Sequence, residues 1–353
     1  MSLCRRREWG GYMKLSSYVI KRLLYSIFVL VGLSIVIFVI ARVVPGDPAR
    51  LALGPRAPQF AVDALREEMH LDKSLPVQYF YWIKGVVTGN FGKSLVTKRN
   101  VMEDIAEFLP ATLELVLMSA LFVVVFSILF GALAARYKDS WVDSLIRVMA
   151  YTGVAVPSFV LAVIFLLLFG YIWPVIPVLG RLSAGIQPPP TITGLITVDS
   201  LLTGRMDVFF DAINHLILPA LALAVGPLFQ EARIVRSAMT ENMGKDYLAA
   251  AVGFGIPDHV ITGKYLLKPS LIPAVSVMGL DIASLMSNAF LVEVIFDWPG
   301  ISRYGMEAML RKDLNAISAV IIVFGLIFVV VNIIVDLIVA YLDPRIRLGG
   351  RSS

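Results

Sequence analysis

The sequence has few charged residues, few histidines and almost no cysteine. Charged side chains make up 16% of the 353 residues and hydrophobic ones 58%, so the chain lacks the polar groups that would cover a soluble globule of this size. A single cysteine, Cys4, excludes an intramolecular disulfide, and three histidines far apart in sequence exclude a zinc cluster. Together with a mean hydropathy of +0.80, these shortages place the chain in a lipid bilayer.

Catalytic motifs are missing as well. No His-Glu-x-x-His, Gly-x-Ser-x-Gly or Gly-x-Gly-x-x-Gly occurs, which argues against a membrane enzyme, although a carboxylate pair assembled from distant helices would escape a linear search. Gly92-Lys93-Ser94 resembles the end of a phosphate-binding loop, but the glycine required five positions earlier is Val87. An ordinary turn is therefore the preferred interpretation.

Six largely uncharged runs are long enough to cross a bilayer, which takes about 20 helical residues. They cover 23–41, 115–135, 148–171, 212–230, 269–292 and 314–335. Prolines interrupt the fourth run and Asp281 the fifth, but neighbouring helices can satisfy the backbone groups that a proline frees. The sequence thus predicts an all-α membrane protein with six transmembrane helices, at 23–41, 109–136, 146–172, 212–236, 269–296 and 314–341.

The distribution of Lys and Arg predicts the orientation of these spans. Basic residues are frequent in the tail 1–22, between the second and third spans, in the connection 237–268 and in the tail 342–353. The positive-inside rule then places both termini in the cytoplasm. The segments 42–107, 173–211 and 297–313 are expected outside, although Arg303, Arg311 and Lys312 in the last of these go against the rule.

Two further expectations follow from composition. The formal net charge of +5 comes from residues at membrane edges, so we expect contact with anionic lipid and no nucleic acid. In segment 297–313, Pro299-Gly300 predicts a turn that starts an outer re-entrant or surface hairpin, and Trp298 and Tyr304 suit the head-group level.

The cytoplasmic connection contains an unusual stretch, DYLAAAVGFGIPDHVITG at 246–263. Its alanine-rich first half favours a helix that another surface can approach closely. Gly253 and Gly255 can end this helix, and Pro257 can begin the next one. Spacing alone leaves open that the stretch is a mere connection, although more than thirty residues is long for that purpose.

Motifs along the chain resemble the permease subunits of bacterial binding-protein-dependent ABC importers, within the dipeptide, oligopeptide and nickel class. The likeness runs from about Leu15 to Arg347 and includes VVPGDPARLALG, NFGKSL, FLPATLEL, VPSF, RIVRSAMTENMGKDYLAAA, LVEVIFDWPGISR and VDLIVAYLDPRIR. It implies a type I permease that spans the bacterial cytoplasmic (inner) membrane several times and forms half of a heterodimeric channel. Residues 1–12 have no counterpart in the family, whose members usually begin near Met13.

The resemblance also implies partners and a docking site. The partners are a sister permease, two ATPase subunits and a periplasmic or lipoprotein substrate-binding protein; ATP and Mg bind the ATPases, so this chain needs no cofactor and is not an enzyme. The expected ATPase contact consists of Asp246, Tyr247, Ala250, Ala251, Gly255 and Ile256, with Arg236 near it. The family motif opens Glu-Ala-Ala where this chain has Ala249-Ala250-Ala251, and it is usually basic where this chain is apolar, which predicts a more apolar groove on the ATPase.

Polar residues on the fifth span are candidates for the translocation path. Asp281, Ser284 and Asn288 stand at i, i+3 and i+7 and share one helical face. This face lines a path that favours cargo with a positive group, or it forms hydrogen bonds between helices at the subunit interface; both readings stay open. Glu114, Glu293 and Asp336 are expected to snorkel or pair at the membrane interface, and His215 to serve as a structural hydrogen-bonding group.

The expected function is ATP-driven import of short peptides or similar small polar solutes, with oligosaccharides and nickel chelates left open. The alternative is a secondary transporter driven by an ion gradient. Paired inverted repeats with matching broken helices would favour that alternative, and the sequence shows none.

Overall fold

The computed structural model describes residues 15–43, 48–54 and 56–342. Parts of both predicted tails (1–14 and 343–353) and residues 44–47 of VVPGDPARLALG lie outside the described residues. Within them the backbone is helical, with no strand beyond one isolated bridge between Lys93 and Asn100. That bridge closes a loop whose turn lies at 95–97, directly after Gly92-Lys93-Ser94.

Fourteen α-helices are present among the described residues. They are α1 (Leu15–Val43), α2 (Pro48–Leu53), α3 (Gln59–Glu68), α4 (Leu75–Val87), α5 (Val101–Arg136), α6 (Trp141–Ala155), α7 (Ser158–Phe165), α8 (Ile196–Leu202), α9 (Met206–Met243), α10 (Asp246–Gly253), α11 (Asp258–Val260), α12 (Lys268–Ile295), α13 (Ile301–Leu310) and α14 (Leu314–Leu342). Two π-helical segments follow α7 and α11, at Leu166–Ile172 and Ile261–Leu267.

Five of these helical segments are long and apolar enough to cross a membrane. They are Arg22–Arg42, Val101–Arg136, Met206–Met243, Asp258–Ile295 and Leu314–Leu342. The pair Trp141–Ala155 and Ser158–Ile172 makes a sixth if it is counted as one broken span. The predicted all-α membrane fold is confirmed, while the orientation of the termini stays a prediction.

The third predicted span, 146–172, is not one straight helix. Its two halves meet at a bend of 103°, and the residue at the bend, Val156, has extended backbone angles (φ −88°, ψ 120°). Pro157 explains this geometry because its ring disfavours the helical conformation in the preceding residue. The expectation of a continuous span was therefore wrong at this point, where the VPSF motif begins.

The core of the molecule is formed by α5, α9 and α12, with α9 between the other two. Small residues allow these helices to approach closely: a Cβ added to Gly131 on α5 would lie 2.6 Å from Cβ of Val235 on α9. Prolines do not interrupt α9, in which Pro219 and Pro227 are both internal. This packing is typical of membrane helices. Small residues let their backbones approach closely, and van der Waals contact then drives association where the hydrophobic effect does not.

The first and last helices, α1 and α14, pack against each other at the edge of this core. An ion pair between Arg22 and Asp336 joins them at one end, with 2.5 Å between Arg22 Nη2 and Asp336 Oδ1. In each helix only 17% of the most apolar window is buried. The remaining apolar surface suits lipid or another membrane subunit.

Segment 297–313 differs from the predicted hairpin. It contains a helix, α13, and its two aromatic residues are buried, with Trp298 1% and Tyr304 4% exposed. Trp298 Nε1 donates to the Ala111 carbonyl at 2.8 Å, and the Tyr304 hydroxyl donates to Asp104 at 2.9 Å. Both rings are therefore covered by protein instead of lying at its surface, because their polar atoms find partners inside the chain without water; the level at which they lie in the membrane stays a prediction.

Candidate functional site

Helix α10 lies against the ends of the core helices. Its inward face carries Leu248 and Ala251, which are 6% and 5% exposed. Leu248 belongs to a buried apolar cluster with Val235 and Met239 of α9 and Met278 of α12. The alanine-rich helix is therefore attached to the membrane helices through one apolar face.

The corner after α10 has the geometry that its glycine predicts. Gly255 has φ of +68°, the Ile256 N–H donates to the Ala251 carbonyl at 3.2 Å, and the Gly255 N–H donates to the Val252 carbonyl at 2.9 Å. These two bonds form a Schellman motif, in which glycine is favoured because its left-handed conformation is strained for other residues. The carbonyls of Ala251 and Val252 at the end of α10 are thereby satisfied.

The outward face of α10 and its corner is apolar and open. Phe254 is 86% exposed, Val252 64% and Tyr247 43%. Asp246, Ala250 and Gly255 are exposed beside them and Ile256 is half-buried. An exposed apolar patch on a segment held this firmly is typical of a surface that binds another protein.

A side-chain hydrogen bond joins the two long helices on either side of α10. Asn242 Nδ2 near the end of α9 donates to Ser270 Oγ near the start of α12 at 2.8 Å, and Ser270 Oγ donates to the Leu266 carbonyl at 2.7 Å. Ser270 is fully buried. The π-helical segment Ile261–Leu267 leads into this bond, so the helix entering the membrane is locally wider than an α-helix, as at many functional sites.

Two residues of the predicted ATPase contact make their contacts within this chain instead. Ala251 faces the core, and Arg236 makes a bidentate ion pair with Asp143, with Nε and Nη2 at 2.6 and 2.7 Å from its two oxygens. Asp143 is fully buried near the start of α6, whose N-cap is Ser140. The exposed part of the predicted set thus consists of Asp246, Tyr247, Ala250 and Gly255, with Ile256 partly exposed.

The structure places the three polar residues of the fifth span on α12 in different surroundings. Asp281 Oδ2 accepts a hydrogen bond from Gln230 Nε2 on α9 at 3.3 Å, and Ser284 Oγ donates to the Asp281 carbonyl at 2.7 Å. Asn288 is exposed. The hydrogen bond from Gln230 supports contact between helices within this chain at Asp281, while Asn288 remains open to a partner or a solute.

A groove of about 530 Å³ opens beside this face. Ser284 and Ser287 of α12 line it together with Met306 and Met309 of α13 and Phe324 of α14. The lining is mostly apolar with a few hydroxyls, which is typical of sites that accept small organic solutes.

The acidic residues near the membrane ends, Glu114, Glu293 and Asp336, all have polar partners, in agreement with the expected pairing. Glu114 accepts from Arg181 Nη2 at 2.6 Å and Asp336 pairs with Arg22. Glu293 accepts from the Thr112 hydroxyl and from the Arg303 backbone N–H, and because it is 0% exposed it does not snorkel to the interface. His215 is likewise buried, with Nδ1 2.9 Å from the Asp211 carbonyl oxygen.

Two buried polar groups hold the segments outside the spans in place. Burial raises the pKa of the Tyr304 hydroxyl, which stays protonated and donates to Asp104. Burial by itself raises the pKa of Asp199, but hydrogen bonds from the Thr193 side chain and from the backbone N–H groups of Ile192 to Gly194 outweigh it and lower that pKa below its ordinary value. Asp199 is therefore an ionised anchor for the loop before α8.

Two family models match the sequence over most of its length. Residues 127–348 match the binding-protein-dependent transport system inner membrane component, and residues 15–116 match the N-terminal component of the same kind of transport system. The chain belongs to this family of inner membrane permeases. The likeness found in the sequence motifs is confirmed.

Curated relatives of this inner membrane component are similar over nearly their full length. The probable D,D-dipeptide transport system permease protein DdpB of Escherichia coli (strain K12) is 37% identical over 99% of this chain and 98% of its own. The dipeptide transport system permease protein DppB of Alkalihalophilus pseudofirmus is 38% identical over 94% and 99%, and the glutathione transport system permease protein GsiC of Salmonella typhimurium is 32% identical over the same shares.

Membership in this permease family fixes location and the general kind of partner. The chain is a multi-pass component of the inner membrane, consistent with its apolar helices. A transport system that depends on a binding protein implies a substrate-binding protein and an ATPase as partners. These partners require one surface on each side of the membrane.

Sequence reasoning missed one buried acidic residue of this permease. Glu231 on α9 is fully buried beside Asp281, yet it stands next to the end of an apolar run and close to Arg233 and Arg236. A charged residue within a long apolar helix is the signal that could have found it. The neighbouring arginines concealed that signal because they place the stretch near a membrane edge.

Proposed function

We propose that this permease carries short peptides across the inner membrane as one half of a channel whose other half is a sister permease. Similarity to permeases named for D,D-dipeptide, dipeptide and glutathione transport supports this class of cargo. The large unburied faces of α1 and α14 and the groove beside α12 support a second membrane subunit. Lipid covers the rest of the apolar surface.

The observation that carries the proposal is the exposed apolar elbow, which we define as Tyr247, Val252 and Phe254 on α10 and its corner. We infer that a groove on an ATPase subunit receives it. Exposed aromatic and aliphatic side chains are unfavourable in the cytoplasm unless a partner covers them, and large aromatic residues commonly provide most of the binding energy of an interface. The absence of a basic residue in the elbow favours a groove that is apolar rather than acidic.

In this proposal the chain performs no chemistry of its own. Two ATPase subunits bind ATP and Mg, and their closure and reopening move α10. A binding protein delivers the peptide on the opposite side. Leu248 transmits the movement because it belongs to the cluster that joins α10 to α9 and α12.

The test is uptake of a labelled dipeptide by membrane vesicles that contain the complete complex. Uptake that needs ATP and continues in the presence of an uncoupler supports the proposal. Uptake that stops with the uncoupler and needs no ATP would favour an ion-driven transporter instead.

A pair of matched variants tests the elbow itself. Phe254→Ala removes an aromatic side chain that is 86% exposed, and Trp141→Ala removes one that is 76% exposed at the start of α6. We expect Phe254→Ala, and more strongly Ala250→Glu, to abolish ATP-driven uptake while the subunit stays in the membrane. Equal effects of Phe254→Ala and Trp141→Ala would contradict the assignment.

A further inference from the structure

Glu231 is a fully buried carboxyl group that receives no hydrogen bond. It is 0% exposed on α9, and no N–H or O–H group of the described residues donates to either of its oxygens. The polar group that faces it is the carboxyl of Asp281 on α12, which accepts hydrogen bonds when ionised. A buried acid ordinarily has a cation or several hydrogen-bond donors beside it. Among the described residues Glu231 has neither.

The described part of the chain does not supply the missing positive charge. No cationic side chain interacts with Glu231 or Asp281, and the donor to Asp281 is the neutral amide of Gln230. The nearby arginines of α9 are directed elsewhere, since Arg236 binds Asp143 and Arg233 lies 6.0 Å from the Tyr151 ring centre. Two adjacent buried carboxyl groups either share a proton or require a cation, and such a cation would come from outside these residues.

A solute has a route to the pair from one side. Asp281 is partly exposed, and Ser284, one turn further along α12, lines the groove of about 530 Å³. Residues three apart on a helix lie on the same face, so a solute in the groove is one turn away from Asp281. Glu231 lies behind Asp281 and brings a second carboxyl group to the same place.

We propose that Asp281, backed by Glu231, binds the ammonium group of a cationic cargo during translocation. An ammonium group supplies a positive charge and three N–H donors, whereas the described residues give this pair one neutral donor, Gln230. A metal ion fits less well because the described residues contain no group of three or more His, Cys, Asp or Glu side chains that could hold one. The inference rests on the proposed function, since it assumes that peptides pass the groove.

The experiment compares two cargoes in proteoliposomes that contain the permease, its sister permease, the ATPases and the binding protein. Uptake of lysyl-alanine and of glutamyl-alanine is measured, each at a concentration that saturates the binding protein, so that the ratio of the two rates reports on passage through the membrane. In Asp281→Asn we expect this ratio to fall about tenfold, the equivalent of one hydrogen bond between charged groups. In Glu231→Gln it should fall less, by about threefold, because the variant loses the second carboxyl group that can ionise beside a bound ammonium group and lies one layer further away.

Two variants serve as controls. Asp281→Glu keeps the charge and should keep most of the preference for lysyl-alanine, while Ser276→Ala, on α12 with its hydroxyl donating to the Ile272 carbonyl of the same helix, should leave the ratio unchanged. An unchanged ratio in both Asp281→Asn and Glu231→Gln, with uptake still dependent on ATP, overturns the inference and leaves the proposed function intact. If Asp281→Asn does not assemble, the ratio in Glu231→Gln decides. Absence of ATP-dependent uptake of either dipeptide by the unaltered complex would instead refute the proposed function.

Discussion

Replacing Arg236 with alanine separates two roles that this residue could have. The sequence motif places it near the ATPase contact, whereas the structure gives it a bidentate ion pair with Asp143 that ties α9 to α6. Asp143 is fully buried and also accepts from the Asp139 backbone N–H at 3.1 Å. Removing the guanidinium leaves this carboxylate without its main partner.

The magnitude follows from the two hydrogen bonds and their burial. Breaking a buried ion pair by removing one member costs about 3–5 kcal/mol. The Arg236 side chain is 21% exposed, so water partly replaces the guanidinium and the loss should lie near the lower limit, at about 3 kcal/mol. For a chain of this size, a loss of that magnitude lowers the midpoint of thermal unfolding by about 5 °C.

The assay is thermal unfolding of the purified complex, combined with ATP-driven uptake at a temperature well below the midpoint. We expect Arg236→Ala to lower the midpoint and to leave uptake per folded complex nearly unchanged. The double variant Arg236→Met with Asp143→Leu should recover most of the stability, because no charge is then left buried. An unchanged midpoint together with lost uptake would refute this reasoning and return Arg236 to the docking surface.

Three further predictions concern the elbow and the outer loop. Leu248→Ala removes a side chain 6% exposed and should cost about 2–4 kcal/mol of unfolding free energy, measured by thermal unfolding, whereas Phe254→Ala should leave the midpoint unchanged and act on uptake alone. Gly255→Ala forces alanine into a left-handed conformation at φ +68° and should cost about 1 kcal/mol, with a matching loss of protection from protease at the corner; full stability of this variant would contradict the Schellman geometry. The folded-state pKa of Asp199 is lowered, so its contribution to stability is complete above its unfolded pKa and is lost as the pH falls through the folded value. Asp199→Asn should therefore lower the midpoint of thermal unfolding at neutral pH and flatten the decline of that midpoint below about pH 4. Parallel pH profiles for variant and parent would refute this.

The sequence predicted the elements that depend on local physics. The long apolar runs of α5 and α14 and the Gly255 corner follow from hydropathy and backbone preference, and the structure has helices and a turn at those places. Pro157 carried a comparable local signal for the bend in the third span, but run length was given more weight than the restriction that a proline imposes on the preceding residue.

Long-range contacts were less predictable because nothing local encodes them. Trp298 suits a head-group region by residue type, yet the Ala111 carbonyl on a helix far away in sequence satisfies its indole N–H. The inward direction of Ala251 depends on which face of α10 meets Leu266 and Met278, and the pairing of Arg236 depends on the path of α6. Glu231 and Asp281 meet only because α9 and α12 pack side by side.

The bond between Asn242 and Ser270 has a mechanical consequence. It fastens the ends of α9 and α12 that flank α10 to each other, so a force on the elbow would turn both helices about this bond as a shared hinge. Since Glu231 and Asp281 lie on these same two helices, rotation about that hinge alters the gap between them. A movement of α10 driven by an attached ATPase would then reach the place proposed for the ammonium group of the cargo and weaken its binding there.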